Sequence, residues 1–90
     1  MAMTTKETLS RWFDEGLRQG ATHLIVVCDT FSYDDYPVYV KPGEDPRKIE
    51  TKYSGNMQRV MEVYALHLDK KSQMRERRSF HYEIPGDTND

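Results

Sequence analysis

Apolar residues recur at helical spacing near the start of the chain and then give way to a continuous apolar run. One face of a helix is formed by four of them: Leu9, Trp12, Phe13 and Leu17. Gly20 follows this set and predicts the C-terminal end of the helix. Residues 22–29 contain the run LIVV, which is rich in β-branched side chains and does not alternate. Such a run predicts a strand that is covered on both faces and is therefore central in its sheet.

After the run, the pattern changes to a weak alternation over residues 36–40. Pro37 and Pro42 bracket this segment, and prolines at such places are tolerated on an edge strand or at strand ends. Asp45 can then cap a helix, and Pro46 fits its first position, where the missing N–H costs nothing. We predict a second strand, followed by a short helix that ends at Gly55.

Residues 57–68 are largely apolar in both of their alternate sets, which indicates burial on both faces. A buried helix would fit the same composition, but two valines and the absence of a helical stripe favour a third strand. Asp69 is placed to cap a polar helix that runs through Arg78. A fourth strand is predicted from three alternating residues: Phe80, Tyr82 and Ile84.

The predicted order is α-β-β-α-β, followed by a helix, a strand or both. This order is typical of an α+β fold: a small antiparallel or mixed sheet of three to four strands with helices packed on one face. We assign residues 1–84 to a single domain and residues 85–90 to a polar C-terminal tail. A chain of 90 residues buries a small core, so we expect that a homodimer would stabilise it.

The composition narrows the class of protein. Hydrophobic residues make up 37% and charged residues 31%, which is typical of a folded domain and not of a disordered chain. The formal net charge of -2 provides no global attraction to nucleic acid or to an anionic membrane. The single Cys28 cannot form an internal disulfide or a zinc site, and no run is long enough to span a bilayer. We therefore expect a cytoplasmic protein without cofactors, membrane association or nucleic-acid partners.

The connector between the first two predicted strands mixes aromatic and acidic side chains. Tyr33, Asp34, Asp35 and Tyr36 follow one another at its centre. Exposed tyrosines on a hairpin are typical of recognition surfaces, because the ring fills a partner's pocket and the hydroxyl directs the contact. We assign the neighbouring aromatic residues Phe31 and Tyr39 to the core. The connector is the predicted contact surface for a protein partner or a nucleotide-like ligand.

A second interpretation of the connector is a metal site. Asp29, Asp34 and Asp35 supply carboxylates, and Glu62 would join them if the third strand neighbours the first. Hard divalent cations bind several oxygen ligands, so such a cluster could serve a phosphohydrolase or nuclease. Their spacing matches no metal motif, and aspartates are common in turns because they bind their own backbone. The turn interpretation is favoured.

Basic residues gather in the predicted last helix. Arg75 and Arg78 could meet phosphates and extend the contact surface of the tyrosines. The helix dipole and solubility also favour basic side chains late in a helix, and this interpretation is the stronger one. The histidines are scattered, and a site formed by His23, His67 and Asp29 is a weaker hypothesis than structural roles for them.

Two stretches, GATHLIVVCDTFSYDDYPVYV and NMQRVMEVYALHLD, give the chain its resemblance to a group of short, uncharacterised proteins from bacterial and phage genomes. The resemblance covers roughly residues 10–82 and carries no catalytic motif. It implies a phage or mobile-element setting, in which small proteins often act by binding.

Three hypotheses follow from the sequence. The first is a small non-enzymatic binding protein that uses the hairpin, with Arg75 and Arg78, to contact a protein or a nucleotide-like ligand. The second is a metal-dependent phosphohydrolase or nuclease. The third is an assembly protein that acts as a homo-oligomer.

Overall fold

Three helices and three strands follow one another in the computed structural model, which describes residues 5–55, 57–76 and 78–84. In chain order the elements are α1 (Lys6–Gln19), β1 (His23–Asp29), β2 (Asp34–Val40), α2 (Pro46–Lys52), β3 (Gln58–Ala65) and α3 (Lys70–Arg75). The strand order is β2-β1-β3, with both pairings antiparallel. The predicted α+β class, the element order and the central position of the first strand are confirmed.

The helices begin at side-chain caps. Thr5 accepts a hydrogen bond from the backbone N–H of Thr8, and Asp45 accepts one from that of Arg47. Asp69 does the same for α3, as the sequence predicts. Both shorter helices end sooner than predicted, α2 at Lys52 and α3 at Arg75.

The sheet carries a core on each face. On the first face, α1 and α3 pack against β1 and β3 through a set of apolar residues: Leu9, Trp12, Phe13, Leu24, Val26, Tyr64 and Met74. On the second face, Ile49 of α2 and Tyr53 after it pack against Ile25, Val27 and Val63. The predicted one-sided packing therefore holds for α1 and α3 only, because the run LIVV presents apolar side chains to both faces. We call these surfaces the α1 face and the α2 face.

The predicted fourth strand is reduced to one bridge. Phe80 forms an isolated parallel bridge with Val63. The backbone N–H of Val63 donates to the carbonyl of Ser79, and that of His81 donates to the carbonyl of Val63. Residues 85–90, the predicted tail, lie outside the described residues. In the described part of the chain, no helix combines the length and the apolar character needed to cross a membrane.

Candidate functional site

The most exposed large hydrophobic side chains of the described residues lie at one end of the sheet. Phe31 is 77% exposed, Tyr33 58% and Met57 56%. Phe31 and Tyr33 belong to the turn between β1 and β2, and Met57 immediately precedes β3. The backbone N–H of Thr30 donates to the carbonyl of Met57 over 2.8 Å, which joins the two segments. We call Phe31, Tyr33 and Met57 the tip.

The backbone of the tip has an uncommon conformation. Tyr33 has a φ of 63° and Met57 a φ of 67°, and these are the only non-glycine residues with positive φ in the described ranges. In the turn, the N–H of Tyr33 donates to the carbonyl of Asp29 over 2.6 Å, and the Asp29 carboxylate accepts from the N–H of Phe31 over 2.9 Å. The left-handed conformation costs a residue with a Cβ about 1–2 kcal/mol. Two large, exposed side chains therefore occupy strained backbone positions at the tip.

The structure separates the two tyrosines that the sequence places in one site. Tyr33 is exposed, whereas Tyr36 is half-buried and packs into the core on the α2 face. The hydroxyl of Tyr36 accepts a hydrogen bond from the Gln58 side chain over 2.5 Å, and burial raises the pKa of this hydroxyl. Tyr36 thus stabilises the hairpin by packing on the α2 face and by bonding to Gln58 of β3.

Two assignments of neighbouring aromatic residues have opposite outcomes. The prediction that Tyr39 belongs to the core is confirmed, since it packs on the α1 face and its hydroxyl donates to the Trp12 carbonyl over 2.9 Å. The prediction for Phe31 is wrong. Phe31 follows the strand rather than lying in it, so the alternation that buries one face of β1 does not reach it.

The aspartates of the connector do not share one face. Asp29 and Asp34 are register partners across β1 and β2, and Asp35 is the partner of Cys28. Because successive strand residues point to opposite faces, Asp34 and Asp35 diverge. Among the described residues, no group of three or more His, Cys, Asp or Glu side chains is placed to hold a metal ion. Asp29 instead forms the hydrogen-bonded turn that the composition favours.

A β-bulge brings an additional carboxylate to the α1 face. The partners of Val26 and Val27 on β3 are Glu62 and Val60, so Met61 is the extra residue of the bulge. Val60 packs on the α2 face and Met61 on the α1 face. Glu62 lines the same cavity as Met61. The bulge therefore directs two consecutive side chains to one face, which regular strand alternation would not do.

That cavity lies between the sheet, the beginning of α1 and the end of α3, and we call it the cleft. Its volume is about 460 Å³, within the range of roughly 300–1,000 Å³ typical of small-molecule sites. Its apolar lining comprises Leu9, Val26, Met61, Met74 and the ring of Tyr64. Its charged lining comprises Lys6, Asp35, Glu62, Glu76 and Arg78.

Hydrogen bonds hold the polar groups of the cleft in place. The hydroxyl of Tyr64, which is 2% exposed, donates to Glu62 over 2.5 Å, and burial strongly raises the pKa of this hydroxyl. Glu76 accepts hydrogen bonds from His81 and Ser79, which lower the pKa of its carboxyl. Burial and the neighbouring Asp35 raise the pKa of the Cys28 thiol, which disfavours the reactive thiolate form.

The two predicted arginines line different cavities. Arg78 lines the cleft together with Asp35. Arg75 lines a second cavity of about 430 Å³ between α1 and α3, which we call the basic groove. Its other lining residues are Lys6, Ser10, Lys70, Lys71 and Met74. Of the six predicted contact residues, the structure brings only Asp35 and Arg78 to a common cavity.

His23 has a structural setting. Its side chain is fully buried, its Nδ1 lies 2.9 Å from the Thr22 hydroxyl, and its Nε2 lies 2.8 Å from the carbonyl oxygen of Glu83. Since a carbonyl can only accept, Nε2 carries the proton. Burial lowers the pKa of His23. The ring of His67 is 6.1 Å away, but Asp29 lies at the other end of β1, so the three do not form one site.

Met57 is the tip residue that the sequence pattern does not reveal. The sequence pattern places it in the third strand, because no pattern distinguishes an exposed methionine before a strand from a buried one within it.

Comparison with known proteins yields no match to any family model, curated protein or solved structure. The phage or mobile-element setting therefore stays a prediction.

Proposed function

We propose that this chain is a non-enzymatic binding protein that contacts a protein partner through the tip. The observation that carries the proposal is the common position of Phe31, Tyr33 and Met57, the three most exposed large hydrophobic side chains of the described residues. A group of exposed apolar side chains on a small domain is typical of an interaction surface. Aromatic side chains are also the anchors that contribute most to the affinity of protein interfaces.

The strained backbone of the tip supports this function. Glycine would relieve the left-handed conformation at both Tyr33 and Met57, yet large side chains occupy both positions. Residues in such conformations cluster at binding and catalytic sites. Because the ring of Tyr33 is exposed, packing within this chain does not account for its presence there.

The charge around the tip indicates the chemistry of the partner. Asp29 and Asp34 flank the turn as register partners, and Asp34 is exposed. An interface typically has an apolar centre and a polar rim, and its charges complement those of the partner. We therefore infer a partner surface with an apolar pocket and basic residues at its edge.

Photocrosslinking tests the position of this surface. A photoreactive phenylalanine analogue replaces Phe31 in one protein and Leu17 in a matched control, because Leu17 is also exposed, at 51%, but lies on α1. Both proteins are produced in the source cells and irradiated, and the crosslinked chains are identified by mass spectrometry. We expect a specific adduct from position 31 and none from position 17. Adducts that form equally from both positions would contradict the proposal.

The purified partner then permits a quantitative test. Truncation of two anchors typically costs at least about 2 kcal/mol each, so the Phe31→Ala, Tyr33→Ala variant should bind at least about 700-fold more weakly. The Leu17→Ala variant should retain the wild-type Kd. An unchanged Kd for the double variant would exclude the tip as the contact surface. If the crosslinked chain is a second copy, sedimentation equilibrium of the same variants measures the homodimer.

A nucleotide-like ligand is the second candidate, and the basic groove favours it. Among the described residues, four cationic side chains and no carboxylate line that groove, which suits a phosphate group. Two of the four are already engaged, because Lys6 donates to the Met74 carbonyl and Lys70 pairs with Asp14. Titration with ADP, followed by amide resonances, should shift Lys71 and Arg75. Arg75→Gln should abolish those shifts, whereas the exposed Arg11→Gln should not.

A further inference from the structure

We infer that the cleft binds a small organic ligand with a primary ammonium group on an apolar chain. This site is separate from the tip and does not depend on the function proposed above. The inference begins with the bulge at Met61, which places the Glu62 carboxylate on the α1 face beside an apolar floor. Bulges that redirect a side chain are common next to functional sites.

The part of α1 that lies over the cleft leaves room for a ligand. Farther along the helix, Gly16 approaches the sheet so closely that an added Cβ would lie 2.6 Å from a methyl group of Leu66. Near its beginning, α1 contributes Lys6 and Leu9 to the wall of the cleft instead. The helix thus seals one half of the α1 face and leaves the other half as a cavity of about 460 Å³.

The position of Glu62 defines the charge of the ligand. Its carboxylate is half-buried and accepts from the buried Tyr64 hydroxyl, which fixes its orientation on β3. No cationic side chain of the described residues lies within ion-pair distance of it. A partly buried carboxylate without a countercharge is costly, so a bound cation would recover free energy there.

The other charged groups of the cleft add to this preference. Among the described residues, three carboxylates and two cationic side chains line it. Of the cations, Lys6 donates to the Met74 carbonyl, and the guanidinium of Arg78 lies 5.8 Å from the centre of the Phe80 ring. The ammonium group of the ligand pairs with the Glu62 carboxylate, and the alkyl chain of the ligand packs on Val26 and Met61. An anion of the same length would be repelled by the Glu62 carboxylate.

Two probes of equal chain length test the charge preference. Hexylamine and hexanoate are titrated separately into the ¹⁵N-labelled full chain at pH 7, and amide resonances report binding. We expect hexylamine to shift Val26, Met61 and Glu62 and to bind at least about tenfold more tightly than hexanoate, since an ionised hydrogen-bond partner contributes about that factor. Equal affinities, or shifts outside the cleft, would overturn the inference.

Variants then test the role of Glu62. Glu62→Gln keeps an oxygen for the Tyr64 hydroxyl and should weaken hexylamine binding about tenfold. Glu7→Gln removes an exposed carboxylate of α1 outside the cleft and should leave the affinity unchanged. Leu9→Phe adds volume to the cleft wall and should also weaken binding. Wild-type affinity in both Glu62→Gln and Leu9→Phe would overturn the inference, and dispersed amide spectra verify that each variant is folded.

Discussion

The two ends of the sheet differ in burial and in backbone conformation. At one end, His23, Val40 and Ala65 face one another across the three strands, and all three are fully buried. At the other end, β1 leads into a turn that exposes Phe31 and Tyr33. The buried residues at the first end stabilise the fold. At the second end, Tyr33 and Met57 have strained backbone conformations. Binding surfaces are commonly drawn from the less stable parts of a fold, because function there competes with packing.

Two phenylalanines give the largest contrast between the ends. Phe13 is 1% exposed and packs against Tyr64, with ring centroids 6.3 Å apart, whereas Phe31 is 77% exposed. Phe13→Ala should lower the free energy of unfolding by about 3–5 kcal/mol. Phe31→Ala should change it by less than about 0.5 kcal/mol. Urea denaturation measures both, and a similar loss in the two variants would remove the contrast.

Gly16 tests the closeness of α1 to the sheet at the buried end. An added Cβ would lie 2.6 Å from Leu66 and 2.9 Å from the ring of Tyr39. Although alanine favours a helix, we expect Gly16→Ala to lower the free energy of unfolding by about 1–3 kcal/mol through overpacking. The exposed Arg11→Ala is the control on the same helix and should be nearly neutral. A stabilised Gly16→Ala protein would show that α1 can move away at little cost.

His23 makes the buried end sensitive to pH. Its pKa is lowered from 6.5 by burial, so the unfolded chain binds the proton more readily than the folded chain. The contribution of neutral His23 to the free energy of unfolding is fully present above pH 6.5 and is lost as the pH falls through the folded-state pKa. We expect the urea midpoint to decrease when the pH is lowered from 7.5 to about 5.5. His23→Gln should reduce this fall, and the neighbouring His67→Gln should preserve most of it. An equal pH dependence in wild type and His23→Gln would contradict this assignment.

A small effect on stability is expected at Tyr33, and its sign sharpens the comparison. Tyr33→Gly removes the left-handed strain but increases the entropy of the unfolded chain, so stability should rise by about 0.5–1 kcal/mol. Tyr33→Ala retains the strain while it removes the ring, and should be near neutral. Both variants should weaken partner binding alike. A destabilised glycine variant would show that the ring contributes to folding rather than to contact.

Much of the fold could be predicted because local signals and long-range packing agree. The continuous run that contains Ile25 and Val26 indicated a central strand, and the caps at Asp45 and Asp69 located two helix starts. The prediction of a fourth strand is wrong in length, because only one bridge forms. Ser79 and His81 pair with only one residue of β3, and alternation cannot reveal how far a neighbouring strand extends.

The candidate sites were less predictable. The acidic, aromatic connector pointed to the exposed Tyr33, yet it also misplaced Phe31 in the core. The cleft depends on a bulge, and a bulge is a mismatch in length between paired strands. No single segment of sequence contains that information.

The sequence by itself determined the fold class, the order of the elements and the turn at Asp29, because periodicity, capping and turn chemistry act over a few residues. Only the tertiary structure decided that Met57 joins the tip, that Glu62 and Asp35 share a cleft, and that Arg75 lies apart from it. Each of these outcomes depends on the register between strands or on the face that a helix covers. Register and packing are set by contacts between residues distant in the chain, which local patterns do not encode.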